Sequence, residues 1–209
     1  MEGNVMGERT LYFLFTDTGT CLSRAINYCT KEGLNHVSIA FDDRLQNVYS
    51  FGRRNPKNPF TGGFVKENVQ SDFLKNVSCA IYAYHLTDEE FNRVQIKIKE
   101  IEQHAGNYKF NFLGLFGVIL QIEINREHKM FCSQFVATVL REVEGCKLSK
   151  PECFTTPADI RGLTGLQLLY QGKLGEYNSN TSTPIITETA LTKQSFAFLI
   201  SRVKRFVIR

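Results

Sequence analysis

The chain has 209 residues, 43% of them hydrophobic, with 17 Phe and no Trp. That is one domain with a real core, or one domain with an extension. The formal net charge of +4 is mild; nucleic-acid binders usually cluster more Lys and Arg on one face, so no nucleic-acid partner is expected.

The start, MEGNVMGERT, is polar, and the run LYFLF behind it is too short for a signal core and lacks a small-residue cleavage site. No window of about 18 apolar residues exists, so no integral membrane segment is expected. FNFLGLFGVILQIEI is broken by two glycines and closes with acid. A cytoplasmic location is the expectation. Residues 11–16, LYFLFT, read as a buried strand. Residues 21–33, CLSRAINYCTKEG, carry Leu22, Ile26 and Cys29 at helical spacing, with Gly33 at the C′ position. HVSIAF and QNVYSF are β-prone runs joined by the polar DDRL, which predicts a hairpin. FGRRNPKNPFTGG reads as a loop by its Pro, Gly and Asn. Residues 77–86, VSCAIYAYHL, read as another strand.

TDEE makes a capping box with Thr87 at N-cap and Glu90 at N3. The helix it opens runs from 88 to about 104, with Phe91, Val94, Ile98 and Ile101 on one stripe and Gly106 at its end. YKFNFLGLFGVIL predicts a loop and a short buried element. A helix over about 132–144 presents Phe135, Val136, Val139, Leu140 and Val143 inward. CKLSKPECFTTPADIRGL is a Pro-punctuated connection, and QLLYQGKLGEY predicts a pair of strands around Gly172. The domain organisation is then one domain over 1–177, a Ser/Thr-rich linker or surface loop over 178–195, and a basic, apolar C-terminal element over 196–209. That last element packs as a terminal element or touches an anionic surface. No internal repeat is present.

Six cysteines stand at 21, 29, 79, 132, 146 and 153, none in a CxxC pair. They read as free thiols, and with four scattered histidines they offer no clustered ligand set. No metal and no cofactor are expected. Cys132 is the exception in placement, because MFCSQFVATVLRE puts it in the first turn of a helix. The positive helix end favours the thiolate, and the first-turn amides can hold an oxyanion. The alternative is a small packing hydrophobe, since free cysteine is among the most buried residues.

A thiol nucleophile needs a base. His85 ends a strand before a cap, His104 lies near a helix C-terminus, and His128 sits among charges. His36 opens the strand HVSIAF, where a rigid frame can aim the ring; otherwise it is an ordinary edge histidine. With the hairpin turn centred on Asp43–Arg44, the residues opposite His36 are Ser50 to Gly52. Ser50 is the polar side chain among them and the candidate orienter; otherwise it is a strand hydroxyl facing solvent.

NHVSIAFDD followed by FCSQFVATVLRE, in that order, resembles the circularly permuted branch of the papain-like NlpC/P60 superfamily. FLFTDTGTCLSRAIN ahead of the histidine strand and FTTPADI after the cysteine helix fit the same pattern, and the resemblance covers about residues 11–175. It implies an α+β fold, a circularly permuted papain-like arrangement with an antiparallel sheet packed against helices. It implies Cys132 as nucleophile and His36 as base. Permuted members commonly carry a carboxylate in the second hairpin strand, where this chain has Ser50; Glu67 lies downstream at a position the sequence does not settle.

The implied activity is that of a thiol protease or amidase, a hydrolase cleaving an amide of a small peptide, cell-wall-derived peptides among them, through a thioester. A lipid acyltransferase and a papain-like module that binds without efficient catalysis are the competing readings. Arg53 and Arg54, with Lys57, could hold a substrate carboxylate, or belong to a solvated loop. Nothing in the sequence speaks to oligomeric state.

Overall fold

In the computed structural model the residues described are 7–18, 33–53, 62–111, 114, 118, 122–123 and 128–178. The centre is a six-stranded sheet. In chain order its strands are β1 (Glu8–Asp17), β2 (His36–Ala40), β3 (Val48–Arg53), β4 (Gly62–Glu67), β5 (Ser78–Thr87) and, near the end of the described chain, β8 (Gln167–Lys173). The spatial order is β4-β3-β2-β1-β5-β8, and every neighbouring pair is antiparallel. The helices with described bounds are α1 (Asp72–Lys75), α2 (Asp88–Gln103), α3 (Cys132–Leu140) and α4 (Pro157–Arg161). A parallel two-residue pair, β6 (Lys109–Phe110) and β7 (Lys129–Met130), leads into α3. The protein is therefore α+β.

β1 is central, and this is why LYFLF is apolar without alternation. Leu11, Phe13 and Phe15 join Val37 and Ile39 under Phe91, Val94, Ile98 and Ile101 of α2 and Phe135, Val136, Val139 and Leu140 of α3. On the opposite face Leu14 packs with Ala40, Leu45, Val48, Val69, Cys79, Ile81 and Leu174. Phe135 seats α3 on the sheet: its ring lies 5.4 Å from Phe51 and 5.8 Å from Phe64, and it is fully buried. Phe135→Ala is expected to destabilise the fold by about 3–5 kcal/mol, read as a lower urea midpoint at unchanged slope.

The expected strands over 11–16 and 77–86, the HVSIAF–QNVYSF hairpin and the Thr87–Glu90 capping box are all present. Three expectations are corrected. α3 stops at Leu140 instead of running to 144, because the chain beyond it is tied to α2. Arg93 Nε donates to the Glu142 carbonyl at 3.1 Å, and the Glu144 N–H donates to Glu90 at 3.2 Å. QLLYQGKLGEY holds one strand followed by a 3₁₀ turn over Leu174–Glu176, not two strands about Gly172. Gly172 stays in the ladder opposite Cys79, under the Tyr170 hydroxyl, where a Cβ would lie 2.5 Å from that oxygen. The segment FGRRNPKNPFTGG is not all loop: Phe51–Arg53 end β3, Gly62 and Gly63 begin β4, and Arg53 pairs with Gly62.

The expected helix over 21–33, most of the buried element in YKFNFLGLFGVIL, the Ser/Thr-rich linker and the C-terminal element lie outside the described residues. Among the described residues, no helix is long and apolar enough to cross a membrane.

Candidate active site

Cys132 is the first residue of α3. Phe131 precedes it in extended conformation and makes no side-chain cap, and the Phe135 N–H closes the first turn on the Phe131 carbonyl at 3.0 Å. The amides ahead of Phe135 therefore lie at the positive end of the helix. One of them, the Ser133 N–H, favours the charged form of the Cys132 sulfur. The Ser133 hydroxyl turns the other way and donates to the Thr155 carbonyl at 2.7 Å, locking the helix start to the TTPADI segment. That segment is itself rigid. Thr156 and Asp159 form a capping box that opens α4, and Lys150 reaches Asp159 at 2.7 Å.

The sulfur meets the sheet where two strands part. β2 and β3 pair at Ala40–Val48 and Ile39–Tyr49, and β3 then stays with β4 as far as Arg53–Gly62. The edge of β2 facing β3 is thereby opened over residues 35–37. The Cys132 thiol donates to the Asn35 carbonyl at 4.0 Å, and the Val37 N–H beside it favours the thiolate. The nucleophile candidate thus takes the position on β2 that β3 has left. It is 7% exposed.

Strand alternation puts Val37 and Ile39 under the helices and turns His36 and Ser38 to the other face. His36 Nε2 lies 2.7 Å from Glu67 Oε1 and 3.3 Å from Ser38 Oγ. Ser50 donates its hydroxyl to the same Glu67 oxygen. The His36 ring also lies beside the Cys132 sulfur, near enough for each group to shift the other. With Nε2 held by the carboxylate, Nδ1 is the ring nitrogen left for the sulfur. The geometry is a line of sulfur, imidazole and carboxylate.

The electrostatics follow from this line. Burial disfavours the Cys132 thiolate, but His36 and the amides of Val37 and Ser133 outweigh it and hold the thiol below its ordinary value. Burial likewise disfavours imidazolium, yet Glu67 and Cys132 raise His36 well above an ordinary histidine. For Glu67, burial is outweighed by His36 and by hydrogen bonds from Ser50 and Ser38, which keep it ionised. The pair therefore favours thiolate and imidazolium. The other described cysteines go the opposite way: burial pushes Cys79 up to about 12 and Cys146 up to about 11, and it raises Cys153.

The sequence pointed to Cys132 and His36, and the structure brings them together. It places Ser50 differently from the expectation. Ser50 bonds the carboxylate, not the imidazole, and the group on Nε2 is Glu67. Glu67 and Ser38 were not among the expected site residues. The available signals were local. Ser38 is two positions beyond His36 and so shares its face, and GGFVKE alternates in a way that sets Val65 and Glu67 on one side of a short strand. Arg53 closes β3 by its backbone; its side chain and Arg54 lie outside the described residues. Among the described residues, no group of three or more His, Cys, Asp or Glu could hold a metal ion.

Comparison of the chain with known protein families, curated proteins and solved structures finds no match.

Proposed function

We propose that the protein is a cysteine-dependent hydrolase, an amidase or peptidase acting on an amide bond of a short peptide, with a circularly permuted papain-like arrangement. The observation that carries the reading is the Cys132–His36–Glu67 line, in which a helix-start thiol lies beside an imidazole held by a largely buried carboxylate. The chain order supports it as well: the histidine strand precedes the cysteine helix, as in the permuted branch it resembles.

In this mechanism the Cys132 thiolate attacks the amide carbonyl carbon, and the carbonyl π pair moves onto oxygen. Amides at the start of α3 stabilise that oxyanion. The intermediate collapses, the C–N bond breaks, and His36 gives its proton to the leaving amine. A thioester remains on Cys132. His36, now neutral, takes a proton from water; the hydroxide adds to the thioester and expels the thiolate, and the acid product leaves. Glu67 holds the ring so that Nδ1 faces the sulfur and stabilises the imidazolium.

A nitrophenyl ester burst tests this. The expected result is one equivalent of nitrophenol released quickly, with the acyl group found on Cys132 by mass spectrometry, followed by turnover of short peptide amides. Cys132→Ser should lose both. Acyl-enzyme that resolves onto an added lipid amine or alcohol and not onto water would replace hydrolase by acyltransferase. No acylation at Cys132 would overturn the enzymatic reading in favour of a binding module.

A further inference from the structure

Glu67 lies on β4, two strands away from His36 on β2, and must cross β3 to reach the ring. A glutamate has three side-chain torsions to arrest, and a buried carboxylate needs several donors to remain charged. His36 supplies one. Two more come from serines that are themselves fully buried: Ser50 on β3 and Ser38 on β2. Continuing the β2–β3 register from Ile39–Tyr49 and Ala40–Val48 sets Ser38 across from Ser50, where the two strands part. The Ser50 hydroxyl donates to Oε1, the oxygen that also takes the His36 N–H. The Ser38 oxygen is 3.3 Å from His36 Nε2, so it touches both members of the ion pair.

We infer that Ser38 and Ser50 are positioning residues, a pair of neutral donors that clamps the Glu67 carboxylate over the parted strands and thereby aims His36 at Cys132. This rests on the hydrolase reading of the site and deepens it. The serines do not touch the reacting atoms. Ser50 holds the carboxylate oxygen that faces the ring, both hydroxyls keep the carboxylate ionised, and the carboxylate in turn holds the imidazolium. Removing either hydroxyl leaves Glu67, whose side chain is 11% exposed, with fewer donors, which raises the proton affinity of the carboxylate and frees its torsions. Among the described residues, the titratable groups facing Glu67 are His36 of β2 and, behind it, Cys132 of α3. β3 presents Ser50, and Lys109 of β6, the other strand packed on β4, is exposed.

The test uses the full chain with Ser38→Ala, Ser50→Ala, the double variant and Ser50→Thr, which keeps the hydroxyl. Two readouts are taken: the pH dependence of iodoacetamide alkylation at Cys132, and the carbon-13 titration of the Glu67 carboxyl in a Cys132→Ala background. The double variant is expected to slow Cys132 alkylation at mildly acid pH about tenfold. Its Glu67 midpoint should move up, and Ser50→Thr should restore most of both. An unchanged Glu67 midpoint together with an unchanged alkylation profile would overturn the inference and leave the serines as packing residues. Wild-type Cys132 reacting no faster than the other cysteines would sink the hydrolase reading instead. The Glu67 titration, which needs no thiol, would still decide whether the serines hold the carboxylate.

Discussion

His36→Ala is expected to slow alkylation of Cys132 about 100-fold at mildly acid pH. In the wild type the buried thiol is held below its ordinary value chiefly because an imidazolium lies against it. Without the ring, the amides of Val37 and Ser133 remain, but burial then dominates and the thiol rises. A thiol near its free value of about 8.5 is almost wholly protonated in mild acid, and a desolvated one more so. The thiolate that survives is intrinsically more nucleophilic, which returns part of the loss and keeps the effect from being larger. Alkylation at high pH, where the thiol ionises without help, should recover. The rate ratio between the two chains should therefore shrink steadily as pH rises. A constant ratio would indicate a lost contact and not a lost charge.

Glu67→Gln is expected to lower acyl-enzyme formation on the order of 100-fold while leaving the fold intact. The amide keeps the shape of the side chain but not its charge, and its NH₂ group competes to face a ring N–H and two hydroxyl donors. His36 then loses the main group that raises it. The stability profile should change in a defined direction as well. Glu67 is held below its ordinary value, so its contribution is present above the unfolded carboxylate pKa and is lost as pH falls through the depressed folded one. The glutamine variant lacks that acid limb. His36 is raised, so its contribution is full below the unfolded imidazole pKa and is lost as pH rises through the folded one. In the variant that loss should be complete at lower pH, because the folded value falls while the unfolded one is unchanged. Urea midpoints across the pH range check both limbs, and a variant whose profile overlays the wild type would contradict the assignment of Glu67.

Where local pattern and tertiary need agreed, the sequence was a reliable guide. LYFLF reads as a central strand because both of its faces are covered, and TDEE opens α2 with both capping bonds in place. Cys132 could be singled out because a helix start is a local feature with a chemical consequence. His36 could be singled out because its strand is short and β-rich. Glu67 could not be placed, because its role depends on a third strand. β4 is only six residues long, begins with two glycines and follows a stretch dense in Pro and Asn. Its pairing with β3 is therefore set by packing, with Phe64 against Phe51 and Phe135, more than by propensity. Ser50 was found by hairpin register alone, which gives the neighbour in the ladder but not the partner reached across it. The early end of α3 was hidden for a related reason: the carbonyl and amide that stop it are taken by Arg93 and Glu90, about fifty residues earlier in the chain.

The most direct measurement is the alkylation rate of each cysteine against pH, with mass-spectrometric readout, in wild type and in His36→Ala. Cys79 and Cys146, pushed up to about 12 and about 11 by burial, serve as internal slow references. The thiolate–imidazolium pair predicts that Cys132 alone reacts fast below neutrality and that His36→Ala removes this advantage. Cys132 reacting no faster than Cys79 and Cys146, or keeping its full rate without His36, would contradict it.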